Sequence, residues 1–344
     1  METKKFFFCG KRLSAQIDTT FFVHTTYDDL MGGNSMKMHQ LPLFVQKVSK
    51  IDFYDDDNGY KKVALIGENT DGLSLFIDVN LTTMYSEVYV SDIPLKDVRH
   101  SKSHVVVLGE VSNGKFMLFS HDKNDLHNYI GYVYQTPQLY DLPEHQYLLE
   151  ILNENESDTA IVGYSAMDQF SGTSISSIDL NSMDVRETQV VDAAKELRLY
   201  FKDMKMDYKN NELLCLINNP ATGSNDNIFA LRPLNDSSYT TYVTIPTGQQ
   251  GGVDYYKKLV AYKEDPYYMV LGDYDTTSTI HLFDKKQSDF TNLNCMKYLK
   301  FSVKIIDPIE MVGDVSYTNV YEIPINTVLI NTHPFLTNYI ILCH

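Results

Sequence analysis

Tryptophan is absent from the 344 residues, and cysteine is scarce: Cys9, Cys215, Cys295 and Cys343 are far apart, with no C-x-x-C spacing. That spacing excludes a paired-cysteine zinc knuckle and a dithiol redox motif. Three of the four sit in apolar strand-like runs and read as reduced, buried thiols. Long hydrophobic runs are also missing. No stretch approaches the roughly 18 apolar residues of a membrane span, and Phe6 to Cys9 are followed at once by Gly10, Lys11 and Arg12, too short for a secretory leader. The triplets starting at Asn80, Asn155 and Asn235 match a glycosylation acceptor only by coincidence on this reading, and the expected location is cytoplasmic or nuclear. Positive charge is outnumbered, with 29 Lys and Arg against 45 Asp and Glu, a net charge of −16. A surface this acidic repels phosphate backbones, so neither nucleic acid nor membrane is an expected partner. It suits a protein partner with a basic surface, although solubility is the plainer meaning of net charge.

Catalytic signatures are missing too. The stretches beginning at Gly163 (GYSAM) and Gly172 (GTSIS) lack the second glycine of a nucleophile elbow. Gly32 to Lys37 (GGNSMK) lacks the ending of a phosphate loop, and no G-x-G-x-x-G follows a strand. On this basis no catalytic, cofactor-binding or metal-binding residue is assigned, and no cofactor is expected. The run Asp55-Asp56-Asp57-Asn58-Gly59 resembles a calcium loop, but Tyr54 stands at its first ligand position and Ile66 at its twelfth. It reads instead as a solvated Asn-Gly hairpin tip. His100 and His104 would lie about 13 Å apart along one strand, too far to share a metal; His104 is expected to begin a strand and His100 to sit on a loop.

What is present is strand material: 25 Tyr and 17 Phe, with abundant Val, Ile and Thr between Asn, Asp and Ser turns. One pattern recurs. VALIGENTDGLSLFID runs from Val63 to Asp78, VVVLGEVSNGKFMLFSHD from Val105 to Asp122, and YMVLGDYDTTSTIHLFD from Tyr268 to Asp284. Each reads as a hairpin, with an Asp-Gly, Asn-Gly or Thr-Ser tip. Looser copies begin at Thr159 (TAIVGYS) and Leu213 (LLCLINN). A strand-like run flanks each hairpin on either side, as at Val48 to Phe53 and Ser86 to Val90. Units of four strands recurring every ~40–55 residues predict an all-β β-propeller with four antiparallel strands per blade. The clearest blades span about 43–93, 94–136, 146–192, 197–246 and 252–301; residues 1–42 and 302–344 form or close the rest. Seven blades are favoured over six, in a single domain of residues 1–344 with one short helix near 191–197.

The three sharp hairpins resemble the WD40-type repeat, with Ile66-Gly67, Asp71-Gly72 and Phe76-Ile77-Asp78 in the places of that family's second and third strands. Leu271-Gly272, Asp273 and Leu282-Phe283-Asp284 match likewise. Phe stands where the family has Trp, and the usual Gly-His dipeptide is missing, so the resemblance is one of architecture.

A repeat scaffold without a catalytic signature points to a non-enzymatic interaction protein acting within a larger assembly, with another protein as its partner. The loops expected to carry that partner are 166–174, with Met167 and Phe170, and 247–252, with Gln249 and Gln250. Two alternatives stand beside it. One is a propeller enzyme (hydrolase, lactonase or glycan-active) with its site at the central channel, where the first strands offer Asp52, Glu150 and Asp207. The other is a structural component of a virus or phage particle.

Overall fold

The computed structural model describes residues 5–13, 18–26, 37–42, 44–111, 115–135, 145–153, 158–166, 173–190, 200–207, 212–219, 225–231, 242–244, 255–261, 267–274, 277–284, 295–300, 329–333 and 336–341. These residues hold strands and turns and no helix, hence no helix long and apolar enough to cross a membrane. The expected helix near 191–197 lies outside them.

A three-stranded sheet contains β1 (Lys5–Leu13), β2 (Asp18–Thr26) and β3 (Lys37–Gln40). Five four-stranded sheets follow. The first is β4 (Val45–Asp55), β5 (Lys61–Asn69), β6 (Ser74–Asn80) and β7 (Ser86–Ser91). The second is β8 (Leu95–His100), β9 (His104–Val111), β10 (Lys115–Asp122) and β11 (Tyr129–Gln135). The third is β12 (His145–Asn153), β13 (Asp158–Ala166), β14 (Thr173–Asp179) and β15 (Val185–Val190). The fourth is β16 (Tyr200–Asp207), β17 (Glu212–Asn219), β18 (Asn225–Leu231) and β19 (Tyr242–Thr244). The fifth is β20 (Tyr255–Ala261), β21 (Tyr267–Tyr274), β22 (Thr277–Asp284) and β23 (Cys295–Lys300). A pair, β24 (Leu329–His333) and β25 (Leu336–Ile341), ends the set. Each four-stranded sheet is a simple antiparallel meander, as the hairpin pattern requires. Contacts divide the chain into two units, residues 11–21 with 39–195 and residues 1–10 with 22–38 and 196–344.

The hairpin tips follow from side-chain chemistry. Asp56 Oδ1 accepts the N–H groups of Asn58 (3.0 Å) and Tyr60 (2.8 Å), while Gly59 takes φ +77°. Asn69 does the same for Asp71 (2.9 Å) and Leu73 (2.8 Å), with Gly72 at φ +78°. Glycine enters this left-handed conformation without the Cβ penalty that other residues meet. The Thr-Ser tip read for the last hairpin is displaced: Tyr274 pairs with Thr277, so Thr277 and Ser278 belong to β22.

The core lies between sheets. Along β9, Val105 and Val107 pack with Tyr54, Ala64, Ile66 and Phe76 of the first sheet. Val106 and Leu108 pack with Tyr147, Leu149 and Val162 of the third. Both faces of β9 are therefore buried, which explains an unbroken apolar run where a half-exposed strand would alternate. The glycine that follows also has a role: a Cβ on Gly109 would meet Ile93 Cδ1 at 2.6 Å.

Leu108→Ala is expected to destabilise the protein by about 2–5 kcal/mol through the cavity it leaves. Leu73→Ala, at an exposed tip, should stay within about 0.5 kcal/mol. Urea unfolding of the two variants checks the difference.

Candidate functional site

The turns between third and fourth strands repeat one another. The backbone N–H groups of Asn80, Asp122 and Asp179 reach the carbonyls of Tyr85 (2.9 Å), Asn128 (3.0 Å) and Asp184 (3.0 Å). Their side chains accept from the turn: Asn80 from Thr82, Asp122 from Asn124, and Asp179 from Asn181. Arg186 reinforces the third copy by pairing with Asp179, whose carboxyl the turn's amides and Arg186 hold below its usual range against the opposing effect of burial. The residue after each anchor donates its N–H to the chain beside the second strand, Leu81 to Lys61 O, Lys123 to Ser103 O and Leu180 to Asp158 O. Leu81, Lys123 and Leu180 thus occupy one position of the repeat. Lys123 is as buried as Leu180, each 4% exposed. A lysine in a leucine's place breaks the local rule of the fold, and such departures concentrate at functional sites.

The surroundings of Lys123 carry the chemistry. Its Nζ donates to the Asp55 carbonyl at 3.4 Å and lies 5.5 Å from the centre of the Tyr54 ring. Burial pushes the amine below the ordinary lysine range, and Asp52, Asp57, Asp158 and Asp55 oppose that shift. Tyr54 donates its hydroxyl to Asp78 Oδ1 at 2.5 Å, and Lys62 pairs with Asp78 at 3.3 Å. Burial raises both the Tyr54 hydroxyl and the Asp78 carboxyl. The other neighbour of Tyr54 is His100, stacked at 6.2 Å. Asp52 Oδ2 accepts from the His100 backbone N–H at 2.7 Å and lies 2.7 Å from His100 Nδ1. The His100 side chain is 25% exposed and that of Asp52 13% exposed, so solvent reaches the pair. Asp158, at the start of β13, accepts from Lys102 N at 2.7 Å. Strands and one turn of three neighbouring sheets thus bring together Asp52 and Tyr54 of β4, His100 of β8, Lys123 after β10 and Asp158 of β13.

Charge continues along the innermost strands, which lie side by side in the order β4, β8, β12. The register slips by one residue between Val48 and Lys50 and again between Leu95 and Asp97. Each bulge re-aims the residue after it, here Lys50 and Asp97, which meet at 3.8 Å. Asp97 is fully buried and fully used. Its Oδ1 accepts from Val98 N (2.9 Å) and Arg99 Nη1 (3.1 Å), and its Oδ2 from Leu149 N (3.0 Å) of the next sheet. Glu150 accepts from Ile151 N at 3.0 Å. In the other unit, Asp203 follows the same kind of bulge and accepts from Met204 N at 3.0 Å.

The structure sorts the sequence-based candidates. Asp52 and Glu150 lie on innermost strands as expected, and Asp207 ends β16. His104 begins β9, but His100 ends β8 rather than sitting on a loop, because its backbone pairs with Val105 and is anchored to Asp52. Asp56 is occupied by its own hairpin tip and by Lys62 at 3.9 Å, so the acidic run is turn chemistry. Met167, Phe170, Gln249 and Gln250 lie outside the described residues. Cys215 is buried, and its thiol is pushed up by desolvation. Lys123 is the residue that sequence reasoning missed. The signal was there in the alignment of Asn80-Leu81 and Asp179-Leu180 with Asp122-Lys123, legible only once the turns are superposed.

No family model matches the chain, and no curated protein does. The likeness is to solved structures. The β-propeller domain of the Trilobed protease from Pyrococcus furiosus, reported with an open velcro topology, matches over 82% of this chain and 84% of its own, at 9% identity and a TM-score of 0.50. A prolyl endopeptidase matches over 87% of this chain and 42% of its own, at 9% identity and a TM-score of 0.52. A mutant of Synechocystis apocarotenoid oxygenase matches over 86% of this chain and 71% of its own, at 10% identity and a TM-score of 0.49. The chain has a β-propeller fold, as its strand pattern predicts. The expectation of a non-enzymatic interaction scaffold is corrected. Structures of like fold include the propeller domain of a protease and a prolyl endopeptidase, so the lack of a contiguous catalytic motif is no sign of a scaffold. Propeller sites gather residues from separate strands, and no linear motif records them.

Lys123→Leu should change how stability depends on pH. Folding lowers the amine's proton affinity, so just below 10.5, the ordinary lysine value, the unfolded chain holds more protons than the folded one. Stability then rises with pH through that window. The variant loses this slope, and its advantage in urea midpoint over the wild type should shrink as pH climbs from neutral towards 10.5. Equal slopes would mean that the amine is solvated.

Proposed function

We propose that the chain is a propeller enzyme of hydrolytic type, with His100 as its general base and Asp52 as the residue that orients it. The observation that carries this reading is the 2.7 Å contact between Asp52 Oδ2 and His100 Nδ1 on adjacent innermost strands, partly open to solvent. A carboxylate on Nδ1 fixes the tautomer and stabilises the imidazolium, leaving proton exchange to the ring's other nitrogen. In the reaction the imidazole takes a proton from water as the water oxygen adds to a carbonyl carbon. The same proton then passes to the leaving group, and the base is restored.

Carbonyl-centred bonds (ester, lactone, peptide) suit this arrangement better than glycosidic ones, which call for two facing carboxylates. The Lys123 amine beside Asp52 adds positive charge where an oxyanion could develop. The net charge of −16 disfavours phosphate-bearing substrates and suits neutral or basic ones. Likeness to the propeller domain of a protease and to a prolyl endopeptidase supports trying peptides alongside esters and lactones.

The test is a panel of chromogenic esters, lactones and peptide amides, followed by His100→Gln and Asp52→Asn on any substrate turned over. Each substitution is expected to lower kcat/KM by roughly 10²–10⁴-fold, with Asp71→Asn at an exposed hairpin tip unchanged. Turnover that survives His100→Gln would overturn the assignment.

A further inference from the structure

The outer edge of β11 serves neither the core nor the proposed reaction. β11 is the last strand of its sheet, and no described strand pairs with its far side. Residues 129 to 133 are all exposed, with Tyr129 at 53%, Ile130 at 55%, Tyr132 at 45% and Val133 at 54%. Successive side chains point to opposite faces of a strand, so apolar groups stand in water on both sides of β11. The backbone is equally available. Asp122 N donates to Asn128 O at 3.0 Å, which sets the phase of the ladder between β10 and β11. Ile130, Tyr132 and Tyr134 therefore bond inwards to β10, while Tyr129, Gly131, Val133 and Gln135 turn their N–H and C=O groups outwards.

Native sheets blunt such edges with charge or with brevity. The other fourth strands follow that rule: β7 carries Glu87, β15 carries Arg186 and Glu187, β23 carries Lys297 and Lys300, and β19 has only 3 residues. β11, YIGYVYQ, has 7 residues and no charge, in a chain of net charge −16. Its two ends differ in sign. Asp122 and the exposed Asp125 stand at the Tyr129 end, and the exposed Lys115 pairs with Gln135 at the other.

We infer that β11 pairs with β11 of a second copy of this chain, antiparallel about a two-fold axis. Antiparallel pairing lays the acidic end of each strand beside the basic end of the other, so charge is complementary at both ends. The register that engages all four outward residues sets Tyr129 opposite Gln135, Gly131 opposite Val133, and Tyr132 opposite its own counterpart on the axis. A charge on the axis would face itself, which is why an uncharged strand suits this symmetry. Gly131 has no side chain to crowd Val133. A single strand pair buries less than the roughly 800 Å² per partner of a standard interface, so the dimer depends on concentration.

Sedimentation velocity of the full chain between about 1 and 200 µM is expected to show a reversible monomer–dimer equilibrium. Tyr132→Lys sets two ammonium groups against each other and should weaken the dimer by roughly 100-fold, as should Tyr132→Glu. An equimolar mixture of the two variants should dimerise again, because lysine then faces glutamate across the axis. Val133→Pro removes an outward N–H, leaves the bonds to β10 in place, and should also give monomers. Unchanged urea midpoints show that the variants are folded. A wild type that stays monomeric throughout, which would leave the edge to a strand of a different protein, overturns the inference. So does a dimer that survives Tyr132→Lys, or a mixture of the two charged variants that stays monomeric. None of these outcomes bears on hydrolysis at His100, since Tyr132 and Val133 are not part of that cluster.

Discussion

Burial along the second strands β5, β9, β13 and β17 is the constraint on which their sheets depend. Val105 to Leu108 present alternate side chains to two different neighbours, and Leu213 to Leu216 are likewise fully buried in the other unit. A strand so placed admits no polar side chain along its length without a large desolvation cost. Chemistry is thereby displaced to strand ends, to turns and to the innermost strands. Asp52, His100, Lys123 and Asp158 all lie there.

Bonds between sheets do a second job. Backbone ladders hold each meander together, but they end at its edges, and neighbouring sheets are joined by side chains. Asp97 reaches Leu149 N of the third sheet, Asp52 reaches His100 N of the second, and Ser74 Oγ accepts from Leu95 N at 3.0 Å. Tyr134 donates to the carbonyl of Met183, which stands at φ 60° in its turn. A carboxylate used in this way is fixed in position before any ligand arrives, as a preorganised site requires. Asp52, which joins two sheets in this way, also aligns His100.

The fold was largely legible in the sequence because its local and global signals agree. Asp56 and Asn69 begin tips that end in left-handed glycines, where the sequence shows Asn-Gly and Asp-Gly between apolar runs. β8 was harder. LKDVRH carries three charged residues in its interior, a pattern that suggests a loop, and only its pairing with β9 and the bond from Leu149 N to Asp97 account for a strand there. The site was less legible for a related reason. Asp52 was noticed as a first-strand acid, but its pairing with His100 spans 48 positions, and no spacing rule reaches that far. Lys123 carries no sequence signal of its own and stands out only because Leu81 and Leu180 share its place. The scaffold reading failed at the step from missing motif to missing activity, an inference that suits loop-borne catalytic motifs and not sites assembled across sheets.

The double burial of β9 also bears on how the chain acquires its structure during synthesis. Every contact within a meander is between neighbours in sequence, so a sheet can zip up as soon as its own four strands have left the ribosome. Its second strand, however, still has one face uncovered until the following sheet is complete. The second sheet must therefore hold an apolar surface in water for the time it takes to translate the third, and translation speed becomes a determinant of yield.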